Sequence, residues 1–382
     1  MSKGTIRGSF RALAAWMLPA VLATLVAAAC GGGSDATAVP AADTLEAATK
    51  PGPFVVGVAT FELVDSSRPT QANGDFPGTD DRRMALEIWY PAAASTGEGR
   101  DAPVAAQDTP YPLIVFAHGL ASSRVQSTTY TRHLASHGYV VAAPDFPLTK
   151  AGAPGGPRLL DLVNQPADVS FVIDSLLSFS ETEGHPLEGA VDAERIGLTG
   201  HSLGGFTTLL AVYGPNRESR IDAALALSAS GCYIDEGDTA NVVVPIMLMT
   251  GSDDLIVPAP GNRRAYELAQ PPRFWVELVG GGHVRFSDAD VDDAVIAGFV
   301  DRLVGRDSAE AADAGSADSC EQGPPATRAI PLTLVRQQEL LRAFATPFFD
   351  AYLRDSDRAS RFLEDELPSI TEDAARYEFE TP

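Results

Sequence analysis

Residues 195–210 run Arg-Ile-Gly-Leu-Thr-Gly-His-Ser-Leu-Gly-Gly-Phe-Thr-Thr-Leu-Leu. Arg195 to Thr199 has the composition of a short strand, and the residues from Phe206 onward, with Leu209 and Leu210, that of a helix. Between them sits G-x-S-x-G, as Gly200, Ser202 and Gly204. As a bare string this is a weak signal, and a structural glycine-rich turn is the competing reading. Its context strengthens it. A serine on a sharp strand-to-helix turn needs small residues on both sides, where a Cβ would obstruct the tightening backbone. Such a turn also places the serine at a helix N-terminus, where free N–H groups favour a developing negative charge. Ser202 is therefore the candidate nucleophile.

A serine nucleophile needs a base, and after a turn of this kind the partners follow in the order acid, then histidine. Of the six histidines at 118, 133, 137, 185, 201 and 283, only His283 lies beyond Ser202. It follows a predicted strand, Phe274 to Val279, through Gly280-Gly281-Gly282, a loop beyond a strand's carboxyl end. The acid is expected between the two, after the strand Val242 to Met249. Asp254 is the first choice there, with the adjacent Asp253 and the earlier Asp235 as alternatives; it would hold the imidazole and stabilise its cation. For the oxyanion, the backbone N–H of Leu203 supplies one donor. The loop His118-Gly119-Leu120-Ala121 supplies the other, from Leu120 or alternatively Ala121. His118 reads as a structural anchor of that loop and His201 as a neighbour of the site. His133 and His137, spaced i, i+4, lack a further metal ligand and read as a solvated helix face. No metal or cofactor is implied.

The flanking chain supports a mostly parallel sheet. Leu113 to Ala117 and Tyr139 to Ala143 are continuous apolar runs of strand length, the mark of strands buried on both faces. Helices are predicted near 125–137, 166–180, 203–213 and 261–270, alternating with strands. Strands at 54–62 and 84–90 have no helix between them and are expected as an antiparallel edge. About eight strands are counted, with helices on both faces. After Val279 the pattern gives a helix near 289–304, a stretch poor in large apolar residues, and an amphipathic helix near 332–354. The catalytic domain is placed at 53–354, with an insertion at 305–331 and an acidic tail, 355–382, that docks loosely if at all.

The chain has 382 residues with 28 Lys plus Arg against 51 Asp plus Glu, a net charge of −23. Hydrophobic content is 45%, enough to bury a core. The acidic balance argues against nucleic acid as a partner, because polyanions are attracted by basic faces. Lys3, Arg7 and Arg11 precede an apolar run from Ala12 to Ala29 that ends at Cys30. Residues 1–29 read as an export signal and 30–52 as a flexible tether. The small residues before Cys30 resemble a bacterial lipoprotein signal, which would make Cys30 the lipid-modified first residue and anchor the protein to the cell envelope. Plain export to the periplasm or medium, and an uncleaved anchor, are the alternatives. In an oxidising compartment Cys232 and Cys320 are expected to pair.

Taken together, these residues resemble the α/β-hydrolase superfamily. Within it they are similar to bacterial relatives of platelet-activating-factor acetylhydrolase and to polyester hydrolases and cutinases. The pieces that carry the resemblance are Glu87-Ile88-Trp89-Tyr90-Pro91, His118-Gly119-Leu120, and His137-Gly138-Tyr139-Val140-Val141 leading to Ala143-Pro144-Asp145. Asp168-Val169-Ser170-Phe171-Val172, Arg195-Ile196-Gly197 running into the serine turn, Asp254, and Gly282-His283 complete the set. The resemblance implies an α/β-hydrolase fold, a Ser202–His283–Asp254 triad with Leu120 and Leu203 as oxyanion donors, and cofactor-free hydrolysis of short-to-medium acyl esters. Phospholipid acetyl esters or polyesters are among the substrates it admits. A silent hydrolase fold that binds a ligand, and an acyltransferase or perhydrolase with the same triad, are the other readings.

Overall fold

The computed structural model describes residues 39–95, 97–310 and 330–382. The export signal, Cys30, and residues 311–329 of the predicted insertion with Cys320 lie outside them. A short helix, α1 (Leu45–Thr49), precedes β1 (Val55–Asp65) and β2 (Arg82–Ala92), which pair antiparallel from Val55–Ala92 to Asp65–Arg82. A two-residue strand, β3 (Gly99–Arg100), joins the outer edge of β1. Strands and helices then alternate through β4 (Tyr111–Ala117), α2 (Thr128–Ser136), β5 (Val140–Pro144), α3 (Gln165–Glu181), β6 (Val191–His201) and α4 (Leu203–Tyr213). The alternation continues through β7 (Ile221–Leu227), α5 (Glu236–Thr239), β8 (Ile246–Gly251), α6 (Ala259–Leu268) and β9 (Arg273–Leu278). The chain ends with α7 (Asp293–Glu310), α8 (Leu334–Leu353), the short α9 (Asp357–Arg361) and α10 (Leu367–Thr371), and β10 (Ala375–Glu380).

One sheet holds the strands in the order β10-β9-β8-β7-β6-β4-β5-β2-β1-β3. It is parallel from β9 to β5; β10 pairs antiparallel with β9, β2 with β5 and β1 with β2, and the short β3 runs parallel to β1. Alternate residues of β4 explain its apolar run: Leu113 and Val115 join the core on one face, and Ile114 and Phe116 the core on the other. Successive side chains of a strand point to opposite faces, so a strand covered on both has no polar position. The chain steps from β4 to β5 in one direction and from β6 to β9 in the other. The strand order therefore reverses between β4 and β6, the place where open α/β sheets leave a crevice at their carboxyl edge.

Four expectations need correction. The sheet has ten strands rather than eight, because β3 is too short to carry a pattern and β10 is hidden in acidic sequence. The 355–382 tail does not dock loosely. In Ala375–Glu380 the charged Arg376, Glu378 and Glu380 alternate with Ala375, Tyr377 and Phe379, and the strand pairs with β9. Phe379 stacks on Phe274 at 5.9 Å, while Arg263 and Arg273 pair with Glu378 and Glu380. Phe362, Leu363 and Leu367 are buried in the core shared with α8. The 30–52 tether is docked from residue 39 on, where Ala42 N–H donates to the buried Asp350 Oδ2 at 2.7 Å. Its short alanine side chains leave no periodic signal. Finally, the His133/His137 face is not solvated. Both rings are buried, His133 Nε2 lies 3.0 Å from Thr346 Oγ1, and α8 covers the face.

Arg82, 1% exposed, bridges Asp161 and Asp168, with Nη2 at 3.0 and 2.6 Å from their carboxylates. It ties β2 to the 3₁₀ turn Leu159–Asn164 and to α3. Cys232 is disulfide-bonded, and the other two cysteines lie outside the described residues. No described helix is long and apolar enough to cross a membrane. The docked tail generates a prediction. Phe362→Ala should destabilise the protein by ~3–5 kcal/mol, the cost of emptying a packed aromatic site. Urea unfolding measures it, and a loss below ~0.5 kcal/mol, the range of a surface substitution, would show the tail undocked.

Candidate active site

The serine turn is built from backbone contacts. β6 follows β4 as far as Gly200–Ala117 and β7 as far as His201–Leu227. There the chain reverses through Ser202, with φ +58° and ψ −121°. A non-glycine residue held in this region stores about 1–3 kcal/mol. The Ser202 N–H donates to Leu227 O at 2.9 Å, which holds the strained residue against β7. A Cβ on Gly200 would fall inside the Gly204 carbonyl, and one on Gly204 inside the Ala117 carbonyl. The two glycines thus let the head of α4 lie directly on the ends of β6 and β4.

The loop after β4 faces this turn, since a Cβ on Gly119 would stand 3.3 Å from Ser202 Cβ. His118 fixes the loop: its Nδ1–H donates to Gly119 O at 2.8 Å and its Nε2 accepts from Phe146 N–H at 3.1 Å. Full burial pushes its pKa down, so it stands neutral, as this bonding requires. Two of the loop's N–H groups are engaged. Gly119 N–H donates to Gln126 Oε1 at 2.6 Å and Ala121 N–H to Thr149 O at 2.7 Å. Leu120 lies between them. Of the two donors considered in the sequence, Ala121 is therefore occupied, whereas among the described residues the Leu120 N–H has no hydrogen-bond partner; Leu203 N–H lies at the first position of α4.

Of the three candidate acids, Asp254 meets the histidine. Its Oδ2 lies 2.8 Å from His283 Nδ1, and its Oδ1 accepts from the N–H groups of Ile256 and Val257 at 2.9 and 2.8 Å. Asp253 accepts instead from Ser252 Oγ at 2.9 Å, and Asp235 caps α5. Burial alone would push the His283 pKa down. The Asp254 carboxylate, by charge and hydrogen bond, and the charge of Asp293 outweigh it and raise the pKa above the ordinary imidazole value.

The main chain of His283 is gripped on both sides. Its N–H donates to Asp293 Oδ2 at 2.6 Å, and its carbonyl accepts from His201 Nε2 at 3.0 Å. Asp293, the first residue of α7, also accepts from Val284 N–H at 2.9 Å and Leu255 N–H at 3.4 Å. Gln126 Nε2 lies 2.5 Å from His201 Nδ1, so one side chain bridges the β4 loop and the residue before the serine. Burial first, and the neighbouring His283, push the His201 pKa well down, leaving it neutral. Gln337 at the head of α8 brackets Gly282, donating to its carbonyl at 2.7 Å and accepting from its N–H at 3.0 Å. No sequence motif marks Gln126, Asp293 or Gln337. Asp293 sits in the run Asp288-Ala-Asp-Val-Asp-Asp, which reads as a solvated acidic loop.

α7 leaves the His283 loop and packs against the 3₁₀ turn Leu159–Asn164 that follows β5. β9 and β5 stand five strand spacings apart in the sheet, roughly 24 Å at ~4.8 Å each. An 18-residue helix reaches ~27 Å. The helix is therefore long enough to run from the His283 loop to that turn. Among the described residues there is no group of three or more His, Cys, Asp or Glu able to hold a metal.

The family model for PET hydrolase-like proteins matches residues 92–309, more than half of the chain. The chain belongs to this family. Among curated relatives, platelet-activating factor acetylhydrolase of Canis lupus familiaris is 24% identical over 237 residues, covering 51% of this chain and 52% of that one. Acyl-protein thioesterase 1 of Gibberella zeae is 27% identical over 210 residues, covering 47% of this chain and 86% of that one. The chain spans about half the length of the acetylhydrolases it matches. Among solved structures, a ferulic acid esterase from Streptomyces cinnamoneus superposes with a TM-score of 0.59 at 24% identity, covering 87% of this chain and 98% of that one. That likeness is one of fold, the α/β-hydrolase fold. The strain at the turn is testable by comparing two variants that both lack the hydroxyl. Ser202→Gly should be more stable than Ser202→Ala by about 1 kcal/mol, because glycine enters the positive-φ region freely. Equal urea midpoints would remove backbone strain from the account of this site.

Proposed function

We propose that this protein is a serine hydrolase of carboxylic esters that acts through Ser202, His283 and Asp254 and a covalent acyl-enzyme. The observation that carries the reading is the strained Ser202 at the head of α4, combined with the buried Asp254–His283 pair at 2.8 Å. With Nδ1 bonded to Asp254, His283 keeps Nε2 for the serine. Nε2 takes the Ser202 proton as Oγ bonds to the ester carbonyl carbon, and the oxyanion forms under the N–H groups of Leu120 and Leu203. Collapse breaks the bond to the alcohol, which leaves with the proton from Nε2. Water, deprotonated by the same nitrogen, then attacks the acyl-enzyme, and the acid departs as Ser202 recovers its proton.

The relatives' names, an acetylhydrolase and an acyl-protein thioesterase, support acyl transfer to water at this site. Short-to-medium acyl esters are the substrates proposed. Export on the residues 1–29 signal and lipid anchoring at Cys30 belong to the same proposal; Cys30→Ser would then release the protein from the membrane fraction.

Purified protein should hydrolyse p-nitrophenyl butyrate. Ser202→Ala should abolish turnover, and Asp254→Asn should lower kcat by about four orders of magnitude, since an imidazole in the wrong tautomer cannot take the serine proton. Wild-type and Ser202→Ala rates equal to background would refute the proposal. The base must be neutral, so kcat/KM is lost as pH falls through the pKa of His283. Because that pKa is raised, the acid limb should lie above the midpoint of a free imidazole, ~6.5. A limb well below that value would contradict the Asp254–His283 geometry. Across a series of acyl lengths, activity should fall before about C10. A steady rise beyond it, at ~0.8 kcal/mol per buried CH₂, would instead indicate a long-chain lipase.

A further inference from the structure

We propose that Asp293 is a positioning residue that sets the place of His283 and couples it to α7. The proposal rests on the esterase reading of the site and adds to it a residue outside the triad. Three observations carry it. Asp293 is buried, yet its carboxylate faces backbone N–H groups rather than a side-chain cation, accepting from His283 at 2.6 Å and Val284 at 2.9 Å. A third, longer bond from Leu255 N–H, 3.4 Å, reaches the loop that carries Asp254. One carboxylate therefore touches the main chain of the base and that of Leu255, the residue after its acid partner. Third, Asp293 heads α7, a helix that also packs on the turn Leu159–Asn164, so the same element that holds the His283 N–H is anchored on a second loop.

A carboxylate that held only its own helix would cap α7, by bonding the helix's first N–H groups. The bonds here run backward instead, to residues 283, 284 and 255. Gly282 belongs to the arrangement, since a Cβ there would stand 3.1 and 3.2 Å from the two Asp293 oxygens. The titratable groups facing His283 are Asp254 from the loop after β8, Asp293 from α7, and His201 from the end of β6, its ring 4.7 Å away. α8 presents only the neutral Gln337 and Gln338 to this loop. Removing the Asp293 charge therefore leaves Asp254 as the one carboxylate favouring the imidazolium.

Asp293→Asn in the full chain tests the role. Asparagine keeps the size but loses the charge, and turns a donor toward one of the N–H groups. With p-nitrophenyl butyrate, kcat per folded molecule should fall roughly 10- to 100-fold, the loss expected of a base displaced by a fraction of an ångström, while KM changes little. The acid limb of kcat/KM should move to lower pH. The ring of His283, followed by NMR and assigned through its absence in His283→Gln, should titrate at lower pH in the variant. A merely structural residue would lower the melting temperature without moving either midpoint. Unchanged midpoints, or unchanged kcat per folded molecule, would overturn the proposal. If Asp293→Asn does not fold, Gly282→Ala serves instead, because it crowds the carboxylate and retains its charge. Lower kcat at unchanged KM and melting temperature supports the role there, and wild-type kcat overturns it. A wild type that turns over no ester, yet whose His283 midpoint drops in Asp293→Asn, would refute the esterase reading and uphold the positioning contact.

Discussion

The site depends on a place where no side chain fits. Gly200 and Gly204 bring the carbonyls of Gly204 and Ala117 against their own Cα atoms, so the ends of β6 and β4 and the head of α4 meet as bare backbone. That approach forces Ser202 into positive φ, and the bond from its N–H to Leu227 O keeps it there. The strain of about 1–3 kcal/mol is small beside the burial of two full core faces. It is stored at the residue proposed as the nucleophile. The reversal of strand order between β4 and β6 then brings the loop after β4 to the serine without any side chain having to reach across.

Around His283 the problem is charge rather than shape. Two buried carboxylates meet one histidine, Asp254 at its imidazole and Asp293 at its main-chain N–H. Were both balanced only by that ring, each proton lost from it would strand two negative charges in a medium of low dielectric. Backbone N–H groups do most of the balancing instead: Ile256 and Val257 serve Asp254, and His283, Val284 and Leu255 serve Asp293. These donors do not titrate. The ring can therefore pass between neutral and cationic forms while both carboxylates stay solvated by peptide dipoles, as a proton-transferring base requires.

The parts legible in the sequence were those governed by local geometry. The serine turn announces itself because its glycines and its strand-to-helix context lie within a dozen residues. The parallel strands announce themselves because burial on both faces removes every polar position. What depends on direction was not legible. Asp253 and Asp254 are chemically identical neighbours, and only the turn after Gly251 sends one toward His283 and the other toward Ser252. Gln126 acts on a residue 75 positions away, and nothing near it in sequence marks the bond. In the C-terminal strand the alternation was present, but its charged positions dominated the composition. His133 and His137 looked solvated because the helix that covers them, α8, comes 200 residues later.

The loop that bears His283 is pinned by α7 and again by the chain that re-enters at residue 330. Asp293 holds His283 where the chain departs, and where it returns Leu332 N–H donates to Gly280 O at 2.8 Å while Gln337 brackets Gly282. Gly280, at φ +75°, permits this approach, since a Cβ there would fall inside the Ile330 carbonyl. Ser202 and the loop after β4, by contrast, are fixed by the sheet and by bonds that do not involve α7 or α8. The two halves of the site thus have different anchors. On the proposed mechanism the nucleophile and oxyanion donors belong to the switch point of the sheet, and the base belongs to a loop held by α7 and α8. If the proposed mechanism holds, changes in those helices act on the proton transfer through the geometry of His283 and lower kcat, while the groups proposed to receive the ester carbonyl stay where the sheet puts them.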